Sequence, residues 1–93
     1  MIQSFRHKGL QRFYQRGIKA GIQAQHEKRL RLMLARLDAA REPEDMSLPG
    51  LRLHQMTGSK LEGFWAVNVS GNWRIIFRFD GPDVYDVDYL DYH

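Results

Sequence analysis

Three polar side chains able to exchange protons or accept hydrogen bonds end the chain, directly after a segment in which apolar and polar residues alternate. Asp91, Tyr92 and His93 follow the alternating run 84–90. Chain ends fray unless a sheet holds them, and a strand over 84–90 would hold this one. Because imidazole has an unperturbed pKa of about 6.5, His93 suits proton transfer at neutral pH. The alternative interpretation is that Tyr92 and His93 are only a polar tail.

Strand alternation places a second group of reactive side chains on one face of a sheet. In 73–79 the odd-numbered residues, which are aromatic or aliphatic, must face the helices, and this sends Arg74 to the opposite face. In 51–55 the two leucines point inward, so that Arg52 and His54 join Arg74 on the open face. The sequence therefore predicts one imidazole and two cations on that face, with the chain end at its margin.

Such a set of groups fits phosphodiester chemistry in RNA. One group takes the proton of the 2′-hydroxyl, cations stabilise the developing phosphorane charge, and another group protonates the 5′ leaving oxygen. That chemistry requires no metal ion. The alternative for His54 is a half-buried sheet residue that is hydrogen-bonded to a carbonyl group.

The pairing of the last two strands determines which cation is available. Core residues match across the turn 80–83 if the pairs are Phe79 with Tyr85, Phe77 with Val87 and Ile75 with Tyr89. Arg78 then lies opposite Asp86 as a structural ion pair, whereas Arg74 lies opposite Leu90 and is diagonal to Tyr92. The same reasoning predicts a three-residue loop, 70–72, in the preceding hairpin.

The elements that must position these residues follow from periodicity. Ile2–Phe5 is typical of a short strand, and apolar residues at helical spacing from Leu10 onward predict a short helix with a natural stop at Gly17. A second apolar stripe predicts a helix from Gln23 to Arg41; its residues are Leu30, Met33, Leu34 and Leu37. Strands are predicted over 51–55, 64–69, 73–79 and 84–90. The order β-α-α-β-β-β-β predicts a two-layer α+β fold, with both helices on one face of a mainly antiparallel sheet of four or five strands.

Composition limits the possible functions. A chain of 93 residues is expected to form one domain, and the lack of cysteine excludes thiolate chemistry and favours a reducing cytoplasm. No apolar run is long enough to cross a bilayer, so no membrane partner is expected. Residues 1–41 hold ten cations against two carboxylates, a net charge of +8, as expected of a polyanion-binding surface. The alternative is an ordinary solvated helix face.

Four segments in order along the chain carry a resemblance to a known family. They are 1–10 (MIQSFRHKGL), 51–54 (LRLH), 72–75 (NWRI) and 89–93 (YLDYH). Together they resemble the HigB toxins, a branch of the RelE/ParE superfamily of bacterial toxin-antitoxin systems. The resemblance runs from one end of the chain to the other, although no single segment is diagnostic.

The resemblance implies a RelE-like fold and an endoribonuclease that cuts mRNA in the A site of the 70S ribosome, without a metal or other cofactor. It implies a helix-turn-helix antitoxin as partner, with operator DNA contacted only through that antitoxin. His54 matches the family's active-site histidine, Arg74 its phosphate-binding arginine, and 91–93 its functional end. Arg52 and Lys60 would add charge near the RNA. The basic helix residues Lys28, Arg29 and Arg31 would contact ribosomal RNA.

One position departs from the family pattern. Members carry a lysine shortly after the active-site histidine, and this chain has Thr57 there, with Lys60 three residues further on. Either Lys60 reaches the site or the site works with one cation fewer. Two alternative functions stay open. The same fold supports a ParE-like inhibitor of DNA gyrase, and Thr57 is the best support for a catalytically inactive basic binding module.

Overall fold

Two helices and a four-stranded antiparallel sheet form the protein, in a computed structural model that describes residues 1–58 and 60–91. The helices are α1 (Lys8–Arg16) and α2 (Glu27–Ala39), and short 3₁₀ turns cover Ala24–His26 and Pro43–Met46. The strands are β1 (His54–Gln55), β2 (Trp65–Ser70), β3 (Trp73–Asp80) and β4 (Asp83–Asp91), hydrogen-bonded in that order. The predicted α+β architecture is confirmed.

The helices begin and end where local chemistry requires. His7 caps α1 because its Nδ1 accepts the Leu10 N–H at 2.9 Å, and Gly17 ends the helix with a φ of 74°, as predicted. Helix α2 is shorter than predicted, because its first turn is the tighter 3₁₀ helix. No helix in the described part of the chain is long and apolar enough to cross a membrane.

The main core lies between the helices and one face of the sheet. Leu30, Leu34 and Leu37 are completely buried against alternate residues of β2, β3 and β4. The predicted helical stripe is therefore confirmed. Helix α1 also packs closely against the loop that leads to α2. The approach leaves no room for a side chain, since a Cβ built on Gly21 would lie 2.5 Å from the Cα of Gly9.

The predicted first strand is instead a pair of isolated parallel bridges to the outer edge of β4, from Ile2 to Val84 and from Phe5 to Val87. The ladder is interrupted because Asp86 has a φ of 57° and donates its N–H to the Ser4 Oγ at 2.9 Å. The N-terminal segment thus ties down β4 without forming a regular strand.

The register of β3 and β4 was predicted correctly at one end and wrongly at the other. Ile75 pairs with Tyr89 and Arg74 with Leu90, as expected. Beyond Ile76 a bulge in β4 shifts the pairing by one residue. The pairs actually formed there are Arg78 with Tyr85 and Phe79 with Val84. Val84 is therefore completely buried in place of the predicted Tyr85, which is half-buried.

The other predicted strand and loop boundaries also need correction. The β2–β3 turn is Gly71-Asn72, two residues rather than three, because the extra residue Val69 forms a bulge in β2. The predicted strand 51–55 is reduced to His54–Gln55, because Arg52 has a φ of 51° and breaks the alternation. These irregularities set the geometry of the candidate site.

Candidate active site on the sheet face opposite the helices

The pairing of the strands places His54 and Arg74 on the sheet face away from the helices. His54 pairs with Ala66, and Ala66 pairs with Ile76, whereas Arg74 lies in the next row, opposite Asn68. With strands about 4.8 Å apart and a rise of about 6.8 Å over two residues, their Cα atoms are roughly 12 Å apart. Both side chains can approach a common phosphodiester from that separation.

His54 is exposed and held in one orientation by its own backbone. Its Nδ1 lies 2.8 Å from the carbonyl oxygen of Arg52. Because a carbonyl oxygen only accepts hydrogen bonds, Nδ1 must carry the proton, which leaves Nε2 of the neutral ring as an acceptor. The left-handed backbone at Arg52 forms the turn that presents this carbonyl. His54 is therefore an exposed and oriented imidazole, hydrogen-bonded to a carbonyl group but not half-buried in the sheet.

Arg74 is half-buried and donates to the edge of the β2–β3 hairpin. Its Nη1 lies 2.9 Å from the Gly71 carbonyl oxygen and 3.3 Å from that of Trp73. Both partners are neutral, so a phosphate oxygen would form a stronger, charge-assisted hydrogen bond with the guanidinium group. Arg78, by contrast, is paired with Asp86 at 2.7 Å. As predicted, Arg78 forms an ion pair with a carboxylate, whereas the hydrogen bonds of Arg74 go to neutral carbonyl groups.

The end of β4 lies beside Trp73, at the same sheet edge as the Gly71 turn. The ladder continues through Asp91, which pairs with Trp73 and is exposed. By alternation from Leu90, Asp91 is directed to the helix side. Tyr92 and His93 lie outside the described residues, and their catalytic roles stay predictions.

The predicted open face is partly covered, which the sequence interpretation missed. The segment that joins β1 to β2 folds over it and buries Met56 and Phe64 against Ala66 and Ile76. This second core forms because Ala66 and Ile76 would otherwise leave an apolar patch in water. The available signal was the apolar pair Met56 and Leu61, which lie in a stretch with no predicted element.

A cavity of about 580 Å³ lies beside β1 within this covering segment. Its lining residues are Gln55, Met56, Thr57, Gly58, Glu62, Gly63 and Phe64. Lys60 is exposed on the same segment, with Thr57 and Gly58 beside it around a smaller depression. The segment thus brings one cation to the side of the sheet that holds His54.

The three predicted α2 cations do not form one patch. Arg31 bonds to Glu27 at 2.8 Å and lies over the Phe13 ring, whereas Arg29 extends along the other flank toward the Gly50 carbonyl oxygen at 3.4 Å. Lys28 is exposed between them. Because α2 packs on the opposite side of the sheet, none of these residues shares a phosphate with His54.

A buried hydrogen-bonded pair behind the end of β4 was not predicted. His26 is 3% exposed, and its Nδ1 lies 2.6 Å from the Tyr89 hydroxyl oxygen, which also accepts the Gln23 N–H at 3.3 Å. The Tyr89 ring stacks on Trp73 at 4.6 Å between centroids. The signal was the spacing of four residues between His26 and Leu30, which places His26 on the buried helix stripe.

Burial shifts the pKa values of this pair toward the neutral forms. It lowers the pKa of His26, with a smaller contribution from the nearby Arg29 charge, and it raises the pKa of Tyr89.

A second buried polar group lies closer to the candidate site. This is Asn68, which pairs with Arg74 across the sheet and whose Oδ1 has no hydrogen-bond partner among the described residues. No group of three possible metal ligands occurs within 1–58 and 60–91.

Fold and site together define a class: two-layer α+β proteins that carry an oriented histidine and an arginine on the sheet face away from two basic helices. A profile of the family described as HigB-like toxins, RelE-like toxins of the type II toxin-antitoxin system HigB, matches residues 3–93. A protein of Proteus vulgaris named Endoribonuclease HigB is 39% identical over 93 residues, which is the full length of both chains. The chain belongs to the HigB-like toxin family. That membership implies an antitoxin partner.

Proposed function

We propose that this toxin is an endoribonuclease that cuts mRNA on the ribosome. The observation that carries the proposal is the fixed orientation of His54, whose Nδ1 bonds to the Arg52 carbonyl and whose Nε2 is left as a base. The name of the Proteus vulgaris relative supports the same activity.

In the proposed reaction, Nε2 of His54 removes the proton of a 2′-hydroxyl, whose oxygen attacks the adjacent phosphorus. The bond from phosphorus to the 5′ oxygen breaks, and a proton from the chain end 91–93 neutralises the leaving oxygen. The products are a 2′,3′-cyclic phosphate and a 5′-hydroxyl, so atoms and charge balance without a metal ion or other cofactor. Tyr92 and His93 are the proposed proton donors.

Arg74 is the proposed phosphate ligand. It would leave the neutral Gly71 and Trp73 carbonyl groups for a phosphate oxygen and stabilise the additional negative charge of the phosphorane. Lys60 adds positive charge on the side of the sheet that holds His54 and stands in for the lysine that Thr57 replaces. Arg52, exposed two residues before His54, is a further proposed RNA contact.

The proposed ribosome contact uses the basic first part of the chain. The net charge of +8 over residues 1–41 favours binding to ribosomal RNA through counterion release. Because α2 lies away from His54, Lys28 and Arg31 would contact ribosomal RNA at a point separate from the cut mRNA. The proposed antitoxin is a helix-turn-helix protein, and the setting is the cytoplasm.

Primer extension on mRNA from cells that express the toxin tests the activity. We expect cuts within translated codons, and their loss in His54→Ala and Arg74→Ala. Arg78→Ala serves as the control, because it removes an arginine of the same strand that is already paired with Asp86. Uncut mRNA together with broken DNA in cells that stop growing would instead establish gyrase inhibition, and arrest by His54→Ala would refute the acid-base assignment.

A further inference from the structure

The exposed side of α2 carries a stripe of cation, apolar residue and cation. Arg29, Leu32 and Arg36 are spaced at i, i+3 and i+7, which places them along one side of the helix over about 10 Å. Leu32 is 71% exposed, the most exposed large hydrophobic side chain among the described residues. We propose that this α2 stripe docks an acidic amphipathic helix of the antitoxin.

A shallow groove runs beside the α2 stripe. It has a volume of about 250 Å³ and is lined by Arg29, Leu32, Met33, Arg36, Leu48, Pro49 and Leu51. This volume is below the roughly 300–1,000 Å³ of typical small-molecule pockets. The groove therefore suits one or two apolar side chains that a partner helix inserts while it lies along α2.

The two arginines of the stripe are available for carboxylates. Arg29 makes only a long contact of 3.4 Å to the Gly50 carbonyl oxygen, and Arg36 pairs with no carboxylate in the described portion of the chain. The neighbouring Arg31, in contrast, is already paired with Glu27. A helix with carboxylates on both sides of an apolar residue would match the stripe in charge and spacing.

The combination favours a protein partner over RNA. A phosphate backbone would pair with Arg29 and Arg36 but would offer little to Leu32 and to the apolar groove beside it. The antitoxin follows from membership of a type II toxin-antitoxin family, and the docking proposal rests on that membership rather than on RNA cleavage. The residues proposed for RNA cleavage lie on the opposite face of the protein. The cleavage assay and the antitoxin affinity assay therefore test the two proposals independently.

The test measures affinity for the antitoxin encoded in the same operon by isothermal titration calorimetry, with full-length toxin variants. We expect Leu32→Asp and the double variant Arg29→Glu/Arg36→Glu each to weaken binding at least ten-fold. The first removes the proposed apolar contact, and the second replaces the proposed ion pairs by repulsion. The control Arg12→Glu/Arg16→Glu makes the same double charge reversal on α1 and should change the affinity less than two-fold. Circular dichroism confirms that each variant is folded, as expected for exposed positions.

Direct contact gives a second readout. Carboxylates of the antitoxin changed to lysine should restore at least half of the affinity lost in the Arg29→Glu/Arg36→Glu variant, whereas a purely structural effect would not be rescued. Equal affinities of the wild-type and stripe variants would overturn the proposal. Unchanged antitoxin affinity with weaker binding to purified ribosomes would assign the stripe to nucleic acid and would overturn it as well.

Discussion

The Tyr89→Phe substitution tests whether the buried pair behind β4 stabilises the strand that leads to the proposed catalytic end. It removes a single oxygen, which lies 2.6 Å from the His26 Nδ1 and 3.3 Å from the Gln23 nitrogen. The ring itself, stacked on Trp73, is retained. The change therefore isolates the hydrogen bonds from the packing.

The expected loss of stability comes from His26 rather than from Gln23. Gln23 is exposed, so its N–H regains a hydrogen bond to water, whereas His26 is 3% exposed and its Nδ1 does not. A buried group left unsatisfied costs roughly 1–3 kcal/mol. We expect a decrease of about 2 kcal/mol in the free energy of unfolding. For a chain of this size that corresponds to a fall in Tm of roughly 8–16 °C.

Denaturant unfolding followed by fluorescence measures this loss, with Tyr85→Phe as the matched control. Tyr85 lies on the same strand and keeps its contact with Arg78 through the ring, 5.0 Å from the guanidinium carbon. We expect Tyr85→Phe to cost less than about 0.5 kcal/mol. The double variant His26→Leu/Tyr89→Phe should recover part of the loss, because both polar partners are removed together. Equal stabilities of Tyr89→Phe and Tyr85→Phe would refute the reasoning.

Three further predictions concern other parts of the fold. Gly21→Ala should destabilise the protein by about 1–3 kcal/mol, because the new Cβ would lie 2.5 Å from the Cα of Gly9; chemical denaturation detects it, and an unchanged midpoint would contradict the close approach. Burial lowers the pKa of His26, so the folded protein binds its proton less readily than the unfolded chain does. The contribution of neutral His26 to the free energy of unfolding should thus be complete above the unfolded-state pKa of about 6.5 and decrease as the pH falls toward the lower folded-state pKa. Unfolding curves between pH 5.5 and 8 measure this dependence. His26→Gln should reduce the slope of the unfolding free energy against pH. Arg78→Ala should cost only about 0.2–1 kcal/mol at low salt and less at high salt, with growth arrest retained; a loss of arrest without unfolding would mean that the Asp86 ion pair is not the main role of Arg78.

Local patterns were sufficient to predict much of the fold and part of the candidate site. The end of α1 at Gly17 and the buried stripe of α2 depend on residues within one or two turns, so the sequence indicates both directly. The pairing of Arg74 with Leu90 was also predictable, because alternation continues without interruption from Ile75 and Tyr89 to the strand ends. The two-layer architecture follows from the change of hydrophobic period along the chain.

The departures arise where one residue adopts a conformation that tertiary contacts stabilise. Strand parity fails beyond a bulge, and the left-handed backbone of Asp86, bonded to Ser4 from a distant segment, moves Val84 into the core. The orientation of α2 relative to its neighbours likewise decides which cations are paired. Arg31 meets Glu27 and Phe13, whereas Arg29 lies beside Gly50.

The sequence by itself determined the fold class, the family resemblance and the placement of His54 and Arg74 on one sheet face, because these depend on residue type and local period. Only the tertiary structure decided how His54 is oriented, since the Arg52 carbonyl reaches its Nδ1 through a backbone turn that no side-chain pattern encodes. The covering of the sheet by Met56 and Phe64 was decided in the same way, by apolar surface that becomes visible only when the strands are assembled.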